Sequence, residues 1–384
     1  MSKPATQNTK KRSGWIRVAV QAALFLFVLL IVLTNFLEAR GIKLPWTNAN
    51  LHALCPFGAV ETAGRLITQG AFVPKTHASN LWVFLGVAGM TVLFGALFCG
   101  WLCPLGSVQD WVGRIGRRLW PKLFNRVPIK LDRALGYLRY GVLALVVIQT
   151  TRMVNLVFVS VDPYYALFHF WTGDALPSAL GVLGVVLAGS LFVARPWCRW
   201  LCPFGALQGI LQLVSPWTIR RSTHACTSCT KCSRVCPMNI DVCAVDAVRD
   251  PRCNRCGECL AACPKDGCLT YSLPGGRLSI RSGLATAAIA VVLFGAPIAA
   301  ARQAGLFRTT GRPVVTRGEL DPEEITSSMT LEQLANGYGT DVSTLRSFLT
   351  LPQTVAGDTR LRDLEDIVAG VTTKTVRERM KEFG

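Results

Sequence analysis

The pattern C-x2-C-x2-C-x3-C-P occurs twice in this chain, as "CTSCTKCSRVCP" from Cys226 to Pro237 and as "CNRCGECLAACP" from Cys253 to Pro264. Such a run constrains the fold tightly, because three closely spaced thiolates wrap one cubane iron–sulfur cluster and the fourth reaches across to a second. Soft thiolates suit iron. The spacing therefore assigns Cys226, Cys229, Cys232 and Cys263 to a first [4Fe-4S] cluster, and Cys253, Cys256, Cys259 and Cys236 to a second. A zinc ribbon is the plain alternative, but it explains neither the prolines nor the doubling. Residues 221–275 are expected to form an inserted α+β domain of the bacterial two-[4Fe-4S] ferredoxin kind. Lys231, Arg234, Arg252 and Arg255 would offset the clusters' negative charge and raise their potentials. Cys243 and Cys268 are left over and read as small buried residues.

The remainder reads as membrane. Mean hydropathy is +0.36 and only 17% of residues are charged, against about a quarter in soluble domains. Five apolar stretches approach the roughly 20 residues that a spanning helix needs: Val18–Leu37, Leu81–Phe98, Tyr140–Val161, Ser178–Ala194 and Gly283–Ala301. Arg152 and Asn155 interrupt the third; they are either buried functional groups or, as we prefer, lie in water beyond a span ending at Thr151. The first follows Lys10, Lys11, Arg12 and Arg17 and lacks a small-residue cleavage site, so a retained span is expected rather than a signal peptide. The net charge of +18 concentrates at the N-terminus, at 114–139 and at 195–255, which by the positive-inside rule makes these segments cytoplasmic. Residues 38–80, 162–177 and the C-terminus then fall outside. The expected fold is an α-helical polytopic membrane protein of about five spans: 1–220 with four spans, 221–275 the ferredoxin domain, 276–302 the fifth span, and 303–384 a helical segment. His52, His77, His169 and His224 all lie outside the spans, which argues against a transmembrane bis-histidine haem.

Three Cys-Pro turns punctuate this membrane part: "LCPFGAVE" (Leu54–Glu61), "LCPLGSVQ" (Leu102–Gln109) and "LCPFGALQ" (Leu201–Gln208). Only the last two have another cysteine four residues upstream, in "CGWLCPLG" and "CRWLCPFG", each after a similar apolar run. This pattern predicts an internal duplication of a two-span unit. Cysteines four apart share a helix face, and the proline ends the helix beyond them, so pseudo-symmetric packing would bring Cys99, Cys103, Cys198 and Cys202 together. A third iron–sulfur cluster, redox-active dithiols, or a copper or zinc ion all suit four thiolates there. The alternative is that cysteine simply packs well between helices. Trp101 and Trp200 read as interfacial anchors, or more sharply as quinone-stacking rings. Cys55 to Gly58 reads as an outer turn, with His52 a nearby polar residue.

The C-terminal "MTLEQLANGYGTDVSTLRSFLTLP" has helical periodicity around a glycine-containing turn and invites a helix-turn-helix reading. Its segment has nearly balanced charge and lies outside by the span count, so no nucleic acid is expected and a small docking domain is preferred.

This ordered set, a Cys-Pro-Phe-Gly turn, two C-x3-CP motifs ending membrane spans and a two-cluster segment, resembles the NapH/MauN-type membrane ferredoxins over residues 15–275. The wider family includes the C-terminal half of NosR and the CcoG-like proteins. The resemblance implies a bacterial inner-membrane protein, with lipid and the quinone pool as partners, exchanging electrons with a periplasmic redox protein. A metal (copper) assembly factor and a membrane redox sensor are the rival functions. It carries the family's motif cysteines onto Cys99, Cys103, Cys198 and Cys202. The fifth span and outer helical segment exceed the shorter NapH pattern.

Overall fold

The structure, a computed structural model, describes residues 5–39, 78–152, 157–170, 176–276, 278–280, 282–304, 320, 322, 325, 329–368 and 370–383. The first Cys-Pro turn with His52 and Cys55, His77 and Asn155 lie outside the described residues.

Helix α1 (Ala5–Ala39) contains an apolar stretch, Gly14–Thr34, long enough to cross a membrane. Helix α12 (Gly283–Gln303) is the second such helix among the described residues. The other expected spans are shorter: α2 (Ala78–Phe94), α5 (Leu138–Arg152) and α7 (Pro177–Ser190). With 17 residues, α2 extends about 25 Å, short of the roughly 30 Å of a hydrocarbon core. Its early end has a local cause. Gly95 takes a left-handed φ of 75°, a π-helical turn follows at Phe98–Leu102, and Pro104 starts α3 (Pro104–Leu119). Likewise α7 ends before Arg195, whose φ of 51° precedes α8 (Pro196–Trp200) and α9 (Pro203–Leu211). Both apolar runs thus break just before their cysteines, and the break swings the thiols inward.

The stretch read as a third span is divided. After α5, a turn at Val157–Ser160 leads into α6 (Pro163–His169), which folds back onto α1, α3 and α7. Asp162 starts it by accepting the Tyr164 amide at 2.9 Å, and Pro163 occupies the first helical position. The described part of the expected outer loop 162–177 therefore packs on the helices.

Helix α12 lies along α2, with Pro297 against Gly86, a close approach of the small-residue kind usual between membrane helices. Val87, Met90, Leu97, Trp101, Leu102, Val146, Phe204 and Ala290 fill the interior. The opposite faces carry exposed apolar side chains, among them Phe27 and Leu30 on α1, Leu85 and Leu93 on α2, Ile148 on α5, Val185 on α7 and Val292 on α12.

Strands β1 (Thr218–Arg221), β2 (Leu269–Ser272) and β3 (Ser279–Ile280) form one antiparallel sheet, with Ile219 opposite Tyr271 and Tyr271 opposite Ile280. The sheet reaches past both expected limits of the 221–275 segment. Between β1 and β2 lie the two cysteine runs, with short helices α10 (Lys231–Arg234) and α11 (Glu258–Ala262).

Near the C-terminus, α13 (Leu331–Gly337), α14 (Val342–Phe348), α15 (Leu364–Ile367) and α16 (Thr373–Met380) enclose a core of Ile325, Leu331, Leu334, Leu345, Leu349, Leu361 and Val376. Thr330 and Gln333 close a capping box at α13, and Gly339 turns the chain toward α14.

Candidate iron–sulfur sites

The two ferredoxin runs frame two cavities. One is lined by Cys226, Cys229, Cys232 and Cys263, the other by Cys236, Cys253, Cys256 and Cys259. Each cavity gathers one of the two crossed sets that the spacing predicts, and the first also takes in Cys243 and Cys268. Their surroundings differ. Cys226 is drawn down to about 7 by the Ser228 amide and then by Arg221, and the Lys231 amide lowers Cys229. In the second cavity burial pushes Cys236 up to about 12 and Cys256 to about 11, with neighbouring thiols adding to the shift. Four thiols so placed resist ionising together, and a cation between them removes that penalty, so the donor set fits an iron core. Arg255 donates to Cys253 Sγ at 3.6 Å. Arg252, expected to serve the same purpose, turns away to Asp132 and Asp250. Arg221, read from the sequence only as a topological charge, instead stands beside Cys226.

The four membrane cysteines also converge. Cys99 interacts electrostatically with Cys103, Cys198 and Cys202, Cys103 with Cys198, and Cys202 with Cys103 and Cys198, so the four share one neighbourhood. A reciprocal contact marks the pseudo-symmetry. Gln109 Nε2 donates to Cys198 Sγ at 3.3 Å, while the Cys99 thiol donates to Gln208 Oε1 at 3.3 Å. Gln208 Nε2 is buried without a partner among the described residues. Turning that amide over gives each repeat's glutamine an N–H on the other repeat's first cysteine. No three His, Cys, Asp or Glu side chains among the described residues are gathered tightly enough for a single ion, and this holds at the ferredoxin cavities too; a multinuclear cluster needs its sulfurs further apart.

Two ionic hubs fix this site. Asp110 accepts two hydrogen bonds from Arg195, at 2.6 and 2.5 Å, and is also paired with Arg17. Arg17 reaches on to Gly100 O at 3.0 Å and Glu258 at 2.5 Å, and Arg195 to Cys99 O at 2.6 Å. Asp132, fully buried, is paired with Arg199, accepts Trp200 Nε1 at 2.8 Å and pairs with Arg252 at 2.9 Å. Arg17, Arg195, Arg199 and Arg252 are therefore structural ion-pair partners as much as loop charges.

The membrane cysteines abut the second ferredoxin cavity directly. Trp101 Nε1 donates to Arg255 O at 3.2 Å, and a methyl group on Gly100 would lie 2.2 Å from Asn254 O and 3.2 Å from Cys256 Cα. Trp101 is 2% exposed, so it is neither an interfacial anchor nor open to a quinone. Trp200 is spent on Asp132.

Comparisons with known proteins bear on the membrane cysteines. The family model described as "4Fe-4S binding domain" matches residues 76–122 and 175–221, two copies displaced by the interval that separates Cys99 from Cys198. An uncharacterized protein of Methanocaldococcus jannaschii is 31% identical over 57% of this chain and 86% of its own length. The ferredoxin-type protein NapH of Escherichia coli (strain K12) is 24% identical over 68% of this chain and 93% of its own. The chain belongs to the NapH/MauN-type membrane ferredoxins. YccM of Escherichia coli (strain K12), named for electron transport, is 32% identical over 52% of this chain, which spans 58% of YccM's length. No solved structure matches significantly.

As a membrane ferredoxin of this type, the chain is an iron–sulfur electron-transfer protein of the membrane. The repeat that the family model matches is the membrane half-unit with its C-x3-CP motif. Gln109 and Gln208 stood unread at the ends of the quoted "LCPLGSVQ" and "LCPFGALQ"; their equal distance from the paired cysteines was the signal.

Proposed function

We propose that this protein relays single electrons between the quinone pool and a periplasmic redox partner through three sulfur sites in series. Cys99, Cys103, Cys198 and Cys202 hold a redox centre at the membrane edge. Cys236, Cys253, Cys256 and Cys259 hold the nearer ferredoxin cluster, and Cys226, Cys229, Cys232 and Cys263 the outer one. A bound cubane cluster supplies a one-electron couple without proton transfer. The chain's own residues set the path. Arg195 and the Asp110 carboxylate lock the Cys99 backbone, Gly100 lets the Asn254–Cys256 loop approach, and Arg255 puts a positive charge beside Cys253.

The observation that carries this reading is the direct contact between the Cys99–Trp101 turn and the loop bearing Cys256. It supplies the link that an electron passing between membrane and cytoplasmic clusters requires. Exposed apolar residues on α2, α5 and α7 as well as on α1 and α12 support a multi-pass arrangement in the inner membrane. In it the N-terminus and ferredoxin domain are cytoplasmic and the C-terminal helical unit is periplasmic.

The test is iron and acid-labile sulfide per chain on anaerobically purified protein, with EPR before and after quinol, in wild type and in Cys99→Ser/Cys198→Ser. Two cubanes alone give about eight irons. About ten to twelve, falling to about eight in the double variant, with signals reduced by quinol, is the expected result. About eight in both proteins overturns the membrane centre.

A further inference from the structure

The first ferredoxin cavity is lined by six cysteines, not four: Cys243 and Cys268 join Cys226, Cys229, Cys232 and Cys263. The second cavity has no such surplus. Cys268 stands closest to the point. Gly267, at a φ of 76°, folds the Lys265–Gly267 loop back after Cys263, so that the first residue before β2 returns to the same wall. There Cys268 lines the cavity together with Cys263 and Cys226, and its thiol interacts with both. Its other polar neighbour is Ser222 O at 3.9 Å, a weak acceptor contact. Cys263 in turn touches Lys265 O at 3.4 Å. Cys243 also neighbours Cys226 and stands next to Cys232, where Ser233 holds its backbone amide at 3.0 Å.

We infer that Cys268 is a reserve ligand of the outer cluster, able to take the position of Cys263 on the same iron. This rests on the reading of Cys263 as a ligand. The exchange balances without electron transfer. Cys268 Sγ would give up its proton and bind the iron that Cys263 Sγ releases, and Cys263 would take the proton up. A surplus sulfur is useful at this cavity and not at the other, because the half-buried Cys226 and Cys229 sit among exposed Thr227, Ser228 and Thr230, whereas Asn254 and Arg255 beside the other cavity are buried, and oxidants reach the more exposed cluster first. Cys268 is only 3% exposed, so it is itself protected from oxidation until the exchange.

The experiment measures iron and sulfide per full-length chain, with EPR of the reduced clusters, after anaerobic purification. Cys263→Ala and Cys268→Ala should each keep the wild-type iron content, Cys263→Ala with an altered outer-cluster line shape. Cys263→Ala/Cys268→Ala should lose about four irons while the inner-cluster signal, which reports a folded domain, persists. Loss of about four irons in Cys263→Ala alone overturns the inference and leaves Cys263 a ligand. Full iron in both Cys263→Ala/Cys268→Ala and Cys263→Ala/Cys243→Ala overturns the ligand reading itself. Iron lost in Cys263→Ala/Cys243→Ala but kept in Cys263→Ala/Cys268→Ala gives the reserve role to Cys243 and also overturns the inference. Should alanine at 263 prevent folding, Cys263→Ser, which keeps the volume, replaces it in each comparison.

Discussion

Gly100→Ala is the most direct probe of the path between membrane and ferredoxin. The added methyl would sit 2.2 Å from Asn254 O, so the 254–256 loop must retreat by about an ångström. Overpacking of this kind costs about 1–3 kcal/mol. The retreat also loosens the Trp101 to Arg255 O hydrogen bond, worth about 1 kcal/mol, while alanine in a helical turn regains about 1 kcal/mol over glycine. The balance disfavours the docked loop by about 1–3 kcal/mol, a roughly 5- to 150-fold shift toward the open state. Hydrogen exchange of peptides spanning 252–259 should accelerate by that factor. Electron transfer from the membrane centre to the inner cluster should slow, because tunnelling falls steeply with distance. Gly113→Ala is the control, since its methyl would meet nothing closer than 3.5 Å. Exchange over 252–259 no faster in Gly100→Ala than in Gly113→Ala would refute the docking argument.

Asp132→Ala should destabilise the protein by about 3–5 kcal/mol in denaturant unfolding, because Arg199 and Arg252 are left buried without their shared carboxylate. Gln109→Leu and Gln208→Leu should each move the midpoint of the membrane centre to more negative potential with iron content unchanged, since hydrogen bonds to cluster sulfurs raise the potential; potentiometric EPR reads this. Burial pushes the Asp250 carboxyl up, but Arg252 outweighs it and holds the group below its ordinary range. Its contribution is therefore complete above the unfolded value of about 3.9 and lost as pH falls below it. A pH series of unfolding midpoints should show that acid loss in wild type and a smaller one in Asp250→Asn.

The grouping of the two cysteine runs was legible because cysteine spacing is a metric property: three thiols of each run close on one cavity and the fourth reaches the other. Convergence of Cys99, Cys103, Cys198 and Cys202 was legible for a related reason, since duplicated C-x3-CP motifs imply a pseudo-axis. Helix ends were not. Hydropathy runs through Gly95 and past the helix end at Ser190 to Ala194 without a sign that the backbone turns left-handed at Gly95 and Arg195, and it joined α5 to the turn at Val157–Ser160. Positive charge misled in a different way, because a count of arginines does not distinguish a solvated side chain from Arg195 or Arg199, whose partners Asp110 and Asp132 lie far away in sequence. Cys243 and Cys268 were read as packing because nothing local records that a glycine turn returns Cys268 to the cavity of Cys263.

The departures from internal symmetry explain what the duplication is for. The repeats agree at both cysteines, at the tryptophan between them and at Gln109/Gln208, the residues gathered around the membrane centre. Beside conservative changes such as Leu105 to Phe204, two of their differences are complementary: Gly100 corresponds to Arg199, and Asp110 to Gly209. Each glycine is where the ferredoxin loop lands, with Asn254 O against Gly100 and Pro251 O 2.7 Å from a methyl built on Gly209. Each charged residue is a hub that clamps another element, Arg199 through Asp132 and Asp110 through Arg17 and Arg195. A symmetric pair could present two equal docking faces to one ferredoxin domain, and only one could be used. By giving up a side chain once in each repeat, and placing a charge at its counterpart, the chain lets a single loop straddle the pseudo-axis, fixing which cluster stands next to the membrane cysteines.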